Sequence, residues 1–265
     1  MTPWEVYAVK YAERNSRTRR DSFLFDDNHD QPHDMDYFVW VLRRGDELIL
    51  VDTGYDHEEA DRRGRPVQKD PREALLPLGI SPDKVTTIIV THLHYDHAGG
   101  LKHFPNATIH LQAAEMAYAT GPCMCHPVLK APFTGEHVCE AVLRLYSGRV
   151  TFHEGDGEVA EGVTVHRIGG HSKGLQAVRV LTSAGWLCLA SDAAHYYENF
   201  LSEKPFPIVV DLQEMLNGFR RIRTLASDDR LVIPGHDPLV RKRFPVFGAD
   251  HILRLDQGPS EEAGK

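Results

Sequence analysis

Apolar residues in this chain gather in short runs bounded by polar, glycine or proline positions, the pattern of buried strands. Tyr37–Leu42 and Glu47–Val51 flank Arg43-Arg44-Gly45-Asp46 and predict a hairpin. Further strands are expected at Val85–Val90, Ala107–Leu111, Val150–His153, Val163–Ile168, Gln176–Leu181, Trp186–Ala190 and Leu231–Ile233, with Thr182-Ser183-Ala184-Gly185 closing a second hairpin. Helical spacing replaces these runs at Glu136–Tyr146, where Val138, Ala141, Val142 and Leu145 share a face, and at Asp211–Leu225, where Leu212, Met215, Leu216, Phe219 and Ile222 do. Short helices are expected up to Leu78, where Gly79 stops the turn, and through Tyr118. Asp21–Asp36 and Asp56–Pro71 read as polar surface segments, the first placed to lie over a site. Gly121–Gly135, with Pro122, Pro127 and Pro132, reads as an inserted loop.

Two runs of strands with helices between and after them predict an α/β fold, a four-layer αβ/βα sandwich with its helices outside. A single domain over residues 1–256 is expected, followed by a polar, disordered tail at 257–265.

The chemistry concentrates where strands end. Directly after Val85–Val90 the chain reads Thr91-His92-Leu93-His94-Tyr95-Asp96-His97-Ala98-Gly99-Gly100. His92 and His94 alternate and can face one ion from an extended segment, whereas Asp96 and His97 lie past the strand end and can turn toward a second. Imidazole and carboxylate suit zinc, with iron, manganese or cobalt compatible, and no thiolate is nearby. Three later strands run out into His171, Asp192 and His236, positions where a fixed backbone meets an open loop.

The string His92, His94, Asp96, His97 resembles the H-x-H-x-D-H signature of the metallo-β-lactamase superfamily, and Leu50-Val51-Asp52-Thr53-Gly54 looks like an early strand end of that fold. The resemblance implies the metallo-β-lactamase fold and two divalent metal ions. His92, His94 and His171 would hold the first, Asp96, His97 and His236 the second, and Asp192 would bridge them. Within the superfamily the spacing looks most like the N-acyl-homoserine lactonases. Those enzymes are expected to carry a tyrosine three residues beyond the bridging aspartate as a carbonyl donor; here that place is His195, followed by Tyr196 and Tyr197. Either His195 donates or a neighbouring tyrosine takes over.

Two ions about 3.5 to 4 Å apart can share a water and bring its pKa toward roughly 7, so a bridging hydroxide is the expected nucleophile. A departing alkoxide can be taken by a metal, while an amide nitrogen needs a proton, which favours a lactone or small carboxylic ester as substrate. Asp96 is the expected proton shuttle and Asp52 the residue that orients a ligating histidine. A glyoxalase II type thioester hydrolase shares the ligands but carries a helical region after the last one, and only a short segment follows His236. A β-lactamase usually lacks the bridging aspartate. A non-catalytic metal-dependent binding module is disfavoured by a complete ligand set.

Charge and cysteine narrow the partners. A net charge of −8 leaves no basic stripe for nucleic acid. The clusters Arg14 to Arg20 and Arg241-Lys242-Arg243 read as solvated faces or subunit contacts, compatible with a homodimer. Cys123, Cys125, Cys139 and Cys188 have no C-x-x-C spacing and read as reduced thiols. Neither a signal sequence nor an apolar run of membrane-spanning length is present, so a cytoplasmic protein is expected, without membrane partners. Of the other histidines, His29, His33, His57, His103, His126, His137 and His251 are expected to be exposed, with His33 the one placed to contact substrate. His110, His153 and His166 are expected within strands.

Overall fold

Consecutive side chains of the segment Tyr37–Leu42 enter two different cores. Tyr37, Val39 and Val41 belong to one apolar cluster, and Phe38, Trp40 and Leu42 to another. A strand buried on both faces lies in the middle of a layered structure, which is why its sequence reads as an unbroken apolar run.

The computed structural model describes residues 2–260 and builds two sheets around that strand. The first begins with β1 (Glu5–Arg14), β2 (Met35–Arg44), β3 (Glu47–Val51), β4 (Thr87–Ile89), β5 (Thr108–Gln112) and β6 (Val150–His153). The second holds β7 (Gly157–Ala160), β8 (Val163–Arg167), β9 (Gln176–Thr182), β10 (Gly185–Ser191) and β11 (Val232–Pro234). The chain then returns to the first sheet with β12 (Val246–Phe247) and β13 (Ala249–Arg254). The strand orders are β12-β13-β1-β2-β3-β4-β5-β6 and β11-β10-β9-β8-β7. Helices α1 (His57–Arg63), α2 (Pro71–Ala74), α3 (Tyr95–Ala98), α4 (Ala113–Ala119), α5 (Pro127–Lys130), α6 (Gly135–Tyr146), α7 (Tyr197–Leu201), α8 (Leu212–Leu225) and α9 (Leu239–Arg243) complete the structure.

Between the sheets, Trp4, Val6 and Trp40 meet Val163, Val165, Val178 and Leu187. On the outer face of the first sheet α6 buries Val138 and Ala141, and on that of the second α8 buries Met215, Phe219 and Ile222. This is the four-layer αβ/βα sandwich expected from the sequence. Trp40 is fully buried, and its truncation to alanine would cost about 3 to 5 kcal/mol.

Several elements differ from the expectation. β1 escapes the pattern because it lies between β13 and β2, so burial on both faces removes the alternation and Lys10 interrupts the apolar run. β12, β13 and β7 are short or largely polar and depend on their neighbours for pairing. The Asp56–Pro71 segment contains α1, begun by Asp56 accepting from the Glu59 amide at 3.1 Å and ended by Gly64 at φ +60°. In the Gly121–Gly135 stretch, Pro122 and Pro127 open helical turns, since proline at a first helical position sets φ and gives up no needed donor.

In the tail segment, Gly258 and Ser260 donate backbone hydrogen bonds to Leu255 and Arg243, while residues 261–265 lie outside the described part. All four cysteines are free. No helix among the described residues is long and apolar enough to cross a membrane.

Candidate metal centre and cavity

The structure gathers the seven expected ligands at the adjoining ends of the two sheets. β4 delivers the segment that carries His92, His94, Asp96 and His97, the last two on α3. His171, Asp192 and His236 follow β8, β10 and β11. Every one of these side chains is buried, the most open being Asp96 at 8% exposed.

Asp192 lies at the centre. Its Oδ1 is 3.0 Å from His236 Nε2 and 3.3 Å from His97 Nε2. Its Oδ2 is 3.2 Å from His171 Nε2, 3.0 Å from His195 Nε2 and 3.9 Å from His92 Nε2. His171 Nε2 in turn faces His94 Nδ1 at 2.9 Å. Asp96 Oδ2 is 3.7 Å from both His97 Nε2 and His236 Nε2. The donor atoms of His92, His94 and His171 fall within 4.8 Å of one another, and so do those of Asp96, His97 and His236. One carboxylate thus divides two compact donor sets between its two oxygens.

The far nitrogens of these rings are anchored. His97 Nδ1 is 2.7 Å from Asp52 Oδ2, His171 Nδ1 is 2.8 Å from the Ile208 carbonyl, His236 Nδ1 is 2.9 Å from the Asp36 carbonyl, and His92 Nδ1 is 3.1 Å from Thr91 Oγ1. Such bonds put the ring proton on the outer nitrogen and turn a lone pair inward. Three of the inward atoms, His92 Nε2, His97 Nε2 and Asp192 Oδ1, are buried without a hydrogen-bond partner among the described residues.

Electrostatics distinguish the two donor sets. Burial, reinforced by the neighbouring imidazoles, holds His92 and His94 well below the usual histidine range, so both stay neutral and competent as ligands. Burial would also lower His97 and His236, but the carboxylates of Asp192 and Asp96 outweigh it and raise both. For Asp192, desolvation opposes ionisation and the imidazoles of His236, His97 and His195 overcome it, holding the group well below the usual carboxylate range. Among the described residues no lysine or arginine is ion-paired to Asp52, Asp96 or Asp192, and the positive charge this cluster lacks is what divalent ions carry. The donor set therefore fits two such ions.

Local backbone geometry serves this convergence. Asp52 and Ser191 both take left-handed φ values, +61° and +47°, at the ends of β3 and β10. Conformations of this kind cost of order 1 to 3 kcal/mol and persist only where surroundings enforce them. Thr91 does so for both: its amide and hydroxyl donate to the Asp52 carboxylate at 2.8 and 2.7 Å, and its hydroxyl lies 2.9 Å from that of Ser191. Gly235 packs directly on the bridging carboxylate, where a Cβ would come 2.6 Å from Asp192 Oδ1. Gly170, at φ +80°, brings the His171 turn against the start of α8, where a Cβ would meet the Met215 amide at 2.5 Å.

Glu115 on α4 was not apparent from sequence. Its buried carboxylate accepts from the Leu93 amide at 3.0 Å, the Ser172 hydroxyl at 2.8 Å and the Gly174 amide at 2.9 Å, joining the loop of His92 and His94 to the loop of His171. Its only signal is a lone carboxylate among the small and apolar residues of Ala113–Ala119.

A cavity of about 260 Å³ opens onto Asp96, Asp192, His94, His171 and His236. His195 also lines it, with its ring stacked on Phe206 at 3.8 Å. Burial pushes this imidazole down to about 3, against the pull of Asp192. Tyr196 and Tyr197 do not reach the cavity: the Tyr196 hydroxyl is 3.3 Å from Ser22 Oγ, and the Tyr197 ring lies under Arg243 at 3.8 Å. Tyr37 and Tyr95, which sequence did not single out, line it instead with hydroxyls 3.4 Å apart. Arg14 and Arg17, expected on a solvated face or subunit contact, line the mouth. Asp21 and Met35, at the two ends of the loop expected over the site, do too.

The remaining histidines are mixed. His137 is buried, 3.9 Å from Glu59, rather than exposed, because α6 turns it toward α1. His33 is half-buried, bonded to Ser22 Oγ at 3.0 Å and packed on Tyr196, and does not line the cavity. His110 Nδ1 and His153 Nε2 are 3.0 Å apart on neighbouring strands.

Residues 35–236 match the profile of the metallo-beta-lactamase superfamily. An N-acyl homoserine lactonase of Bacillus cereus is 30% identical over 227 residues, 79% of this chain and 85% of that protein. A probable metallo-hydrolase of Mycobacterium tuberculosis is 25% identical over 238 residues, 76% of this chain and 74% of that protein. Among solved structures, an N-acyl homoserine lactone hydrolase with the product N-hexanoyl-L-homoserine at its catalytic metal centre superposes with a TM-score of 0.78 at 25% identity, covering 94% of this chain and 99% of that one.

Proposed function

Because this chain belongs to the metallo-beta-lactamase superfamily, we propose that it is a dinuclear metal-dependent hydrolase that opens a lactone or cleaves a small carboxylic ester. The observation that carries this reading is the position of Asp192, one oxygen turned to His97 and His236 and the other to His171 and His92. His92, His94 and His171 would hold one ion, Asp96, His97 and His236 the other, and Asp192 both, with zinc the first choice. Lactonases among the relatives support the ester preference.

When bound, divalent ions supply Lewis acidity toward a carbonyl and ionise a water near neutral pH. The protein's part is to place and to shuttle. Asp96 lines the cavity with a carboxylate that accepts no hydrogen bond among the described residues, so it takes the proton of the attacking water and returns it to the departing alkoxide. His195 turns Nε2 toward the centre, 3.0 Å from Asp192 Oδ2, and once that carboxylate is engaged by the ions the tautomer protonated there can donate to the substrate's carbonyl oxygen instead. Phe206 holds that ring in plane, and Asp52 holds His97.

Metal analysis of the purified protein tests the dinuclear part; about two transition-metal ions per chain are expected, and full activity at one would overturn it. A panel of lactones, aryl esters, thioesters and β-lactams tests the reaction. Lactones or esters should give the highest kcat/KM, and a β-lactam turned over faster than every lactone would sink the assignment.

A further inference from the structure

The lining of the cavity is of two unlike kinds. One is apolar, with Val128, Leu129, Pro132 and the segment from Pro207 to Val210. The other is basic, with Arg14, Arg17 and Arg65. In a chain of net charge −8, three guanidiniums lining one cavity run against the average.

Their partners are more telling than their number. Arg63, at the same mouth, pairs with Glu59, and Arg19 bonds both Asp26 and Glu198; Arg149, Arg179 and Arg243 lack a carboxylate partner among the described residues, but they do not line the cavity. Arg14, Arg17 and Arg65 have no carboxylate partner among the described residues. Arg17 gives Nη2 to the Asp21 carbonyl at 2.8 Å and to Ser22 Oγ at 3.4 Å, while its Nε is buried with no acceptor. Arg65 donates to the Tyr95 hydroxyl and lies over that ring at 5.0 Å. Arg14 is half-buried. Of the carboxylates that line the cavity, Asp96 and Asp192 belong to the candidate metal centre, and Asp21 accepts from the Thr18 amide at 2.9 Å. A buried donor without an acceptor is costly to keep, and with Asp96 and Asp192 committed to the metal centre, three guanidiniums without a carboxylate ion pair favour an anion in the cavity.

We propose that the substrate is an anion: an ester or lactone bearing a carboxylate remote from the scissile bond, seated on Arg14, Arg17 and Arg65 with its hydrocarbon part against the apolar lining. Planar guanidiniums match a carboxylate in charge and geometry, and the free Nε of Arg17 gains an acceptor. The scissile bond rests on the hydrolase reading above; the anion seat rests on the arginines.

Two matched ester pairs test it with the metal-loaded protein: mono-p-nitrophenyl adipate against p-nitrophenyl hexanoate, and 4-carboxyphenyl hexanoate against phenyl hexanoate. In at least one pair the anionic ester should have a kcat/KM about 10- to 100-fold higher, and the gap should narrow at about 0.5 M salt. It should collapse toward unity in the Arg14→Gln/Arg65→Gln double variant, or shrink in Arg14→Gln alone should the double variant not fold. Calorimetric titration with adipate and hexanoate reads the seat without turnover, and adipate should bind at least tenfold tighter in the wild type but not in the variant. Adipate preference without hydrolysis of any ester would sink the hydrolase reading and keep the anion seat. Ester pairs within twofold together with equal binding of the two acids, or a preference untouched by the arginine substitutions, would overturn the proposal.

Discussion

The Thr91–Gly100 segment brings four candidate ligands to the centre within one local turn, whereas the second sheet brings three from three separate strand ends. The two groups are equally buried and nearly touch, yet they depend on different things. The contiguous group is shaped by backbone at close range and by Asp52 and Thr91 beneath it. The dispersed group depends on the register of β8, β10 and β11 and on glycines that admit close approach. A local motif can thus advertise a metal, but the carboxylate that would join two metals comes from the part of the molecule that only the complete fold assembles.

Asp192→Ala should break that junction. At least one ion per chain should be lost and kcat should fall by roughly three orders of magnitude, the upper end of what losing one electrostatic partner at a reacting centre costs. Unchanged metal content and rate would mean the two groups work independently. His195→Ala, also on the dispersed side, should lower kcat about 10- to 1000-fold while leaving metal content intact; a wild-type kcat would make His195 a packing partner of Phe206.

On the contiguous side, Asp52→Ala removes the anchor of His97, and metal affinity measured by equilibrium dialysis should weaken about 10- to 100-fold. An unaltered affinity would show that the motif needs no support from beneath. The smallest effect is expected from Glu115→Gln, which swaps one acceptor oxygen for a donor facing donors. Thermal or urea unfolding should report a loss of about 1 to 3 kcal/mol, and no loss would mean the two loops are not joined through it.

This division also explains what was readable in advance. His92, His94, Asp96 and His97 stand out as residue types, and His171, Asp192 and His236 each sit where an apolar run ends, so alternation and punctuation were enough to find them. β2 and β10 were legible for the same reason. β1 was not, because its neighbours on both sides erase its pattern, nor was β13, whose Ala249–Arg254 sequence has too few apolar residues to declare a strand. Glu115, Tyr37 and Tyr95 gave no warning because a single glutamate or tyrosine acquires meaning only from what packs against it. The arginines were visible as charge but not as cavity lining, since a guanidinium's surroundings are set by residues far away in the chain.

Glu115 has one more implication, for how such a protein changes over generations. By fastening the Leu93 amide and the Ser172–Gly174 turn to one helix, it makes two connecting segments behave as part of the rigid interior, and their amides should exchange with solvent as slowly as those of strands. Heritable variation in ligand choice then has little room at the chemical centre. It is left to the rim, where Arg14, Val128 and Ile208 hold no hydrogen bond through their side chains among the described residues and can be exchanged with the least disturbance beneath them.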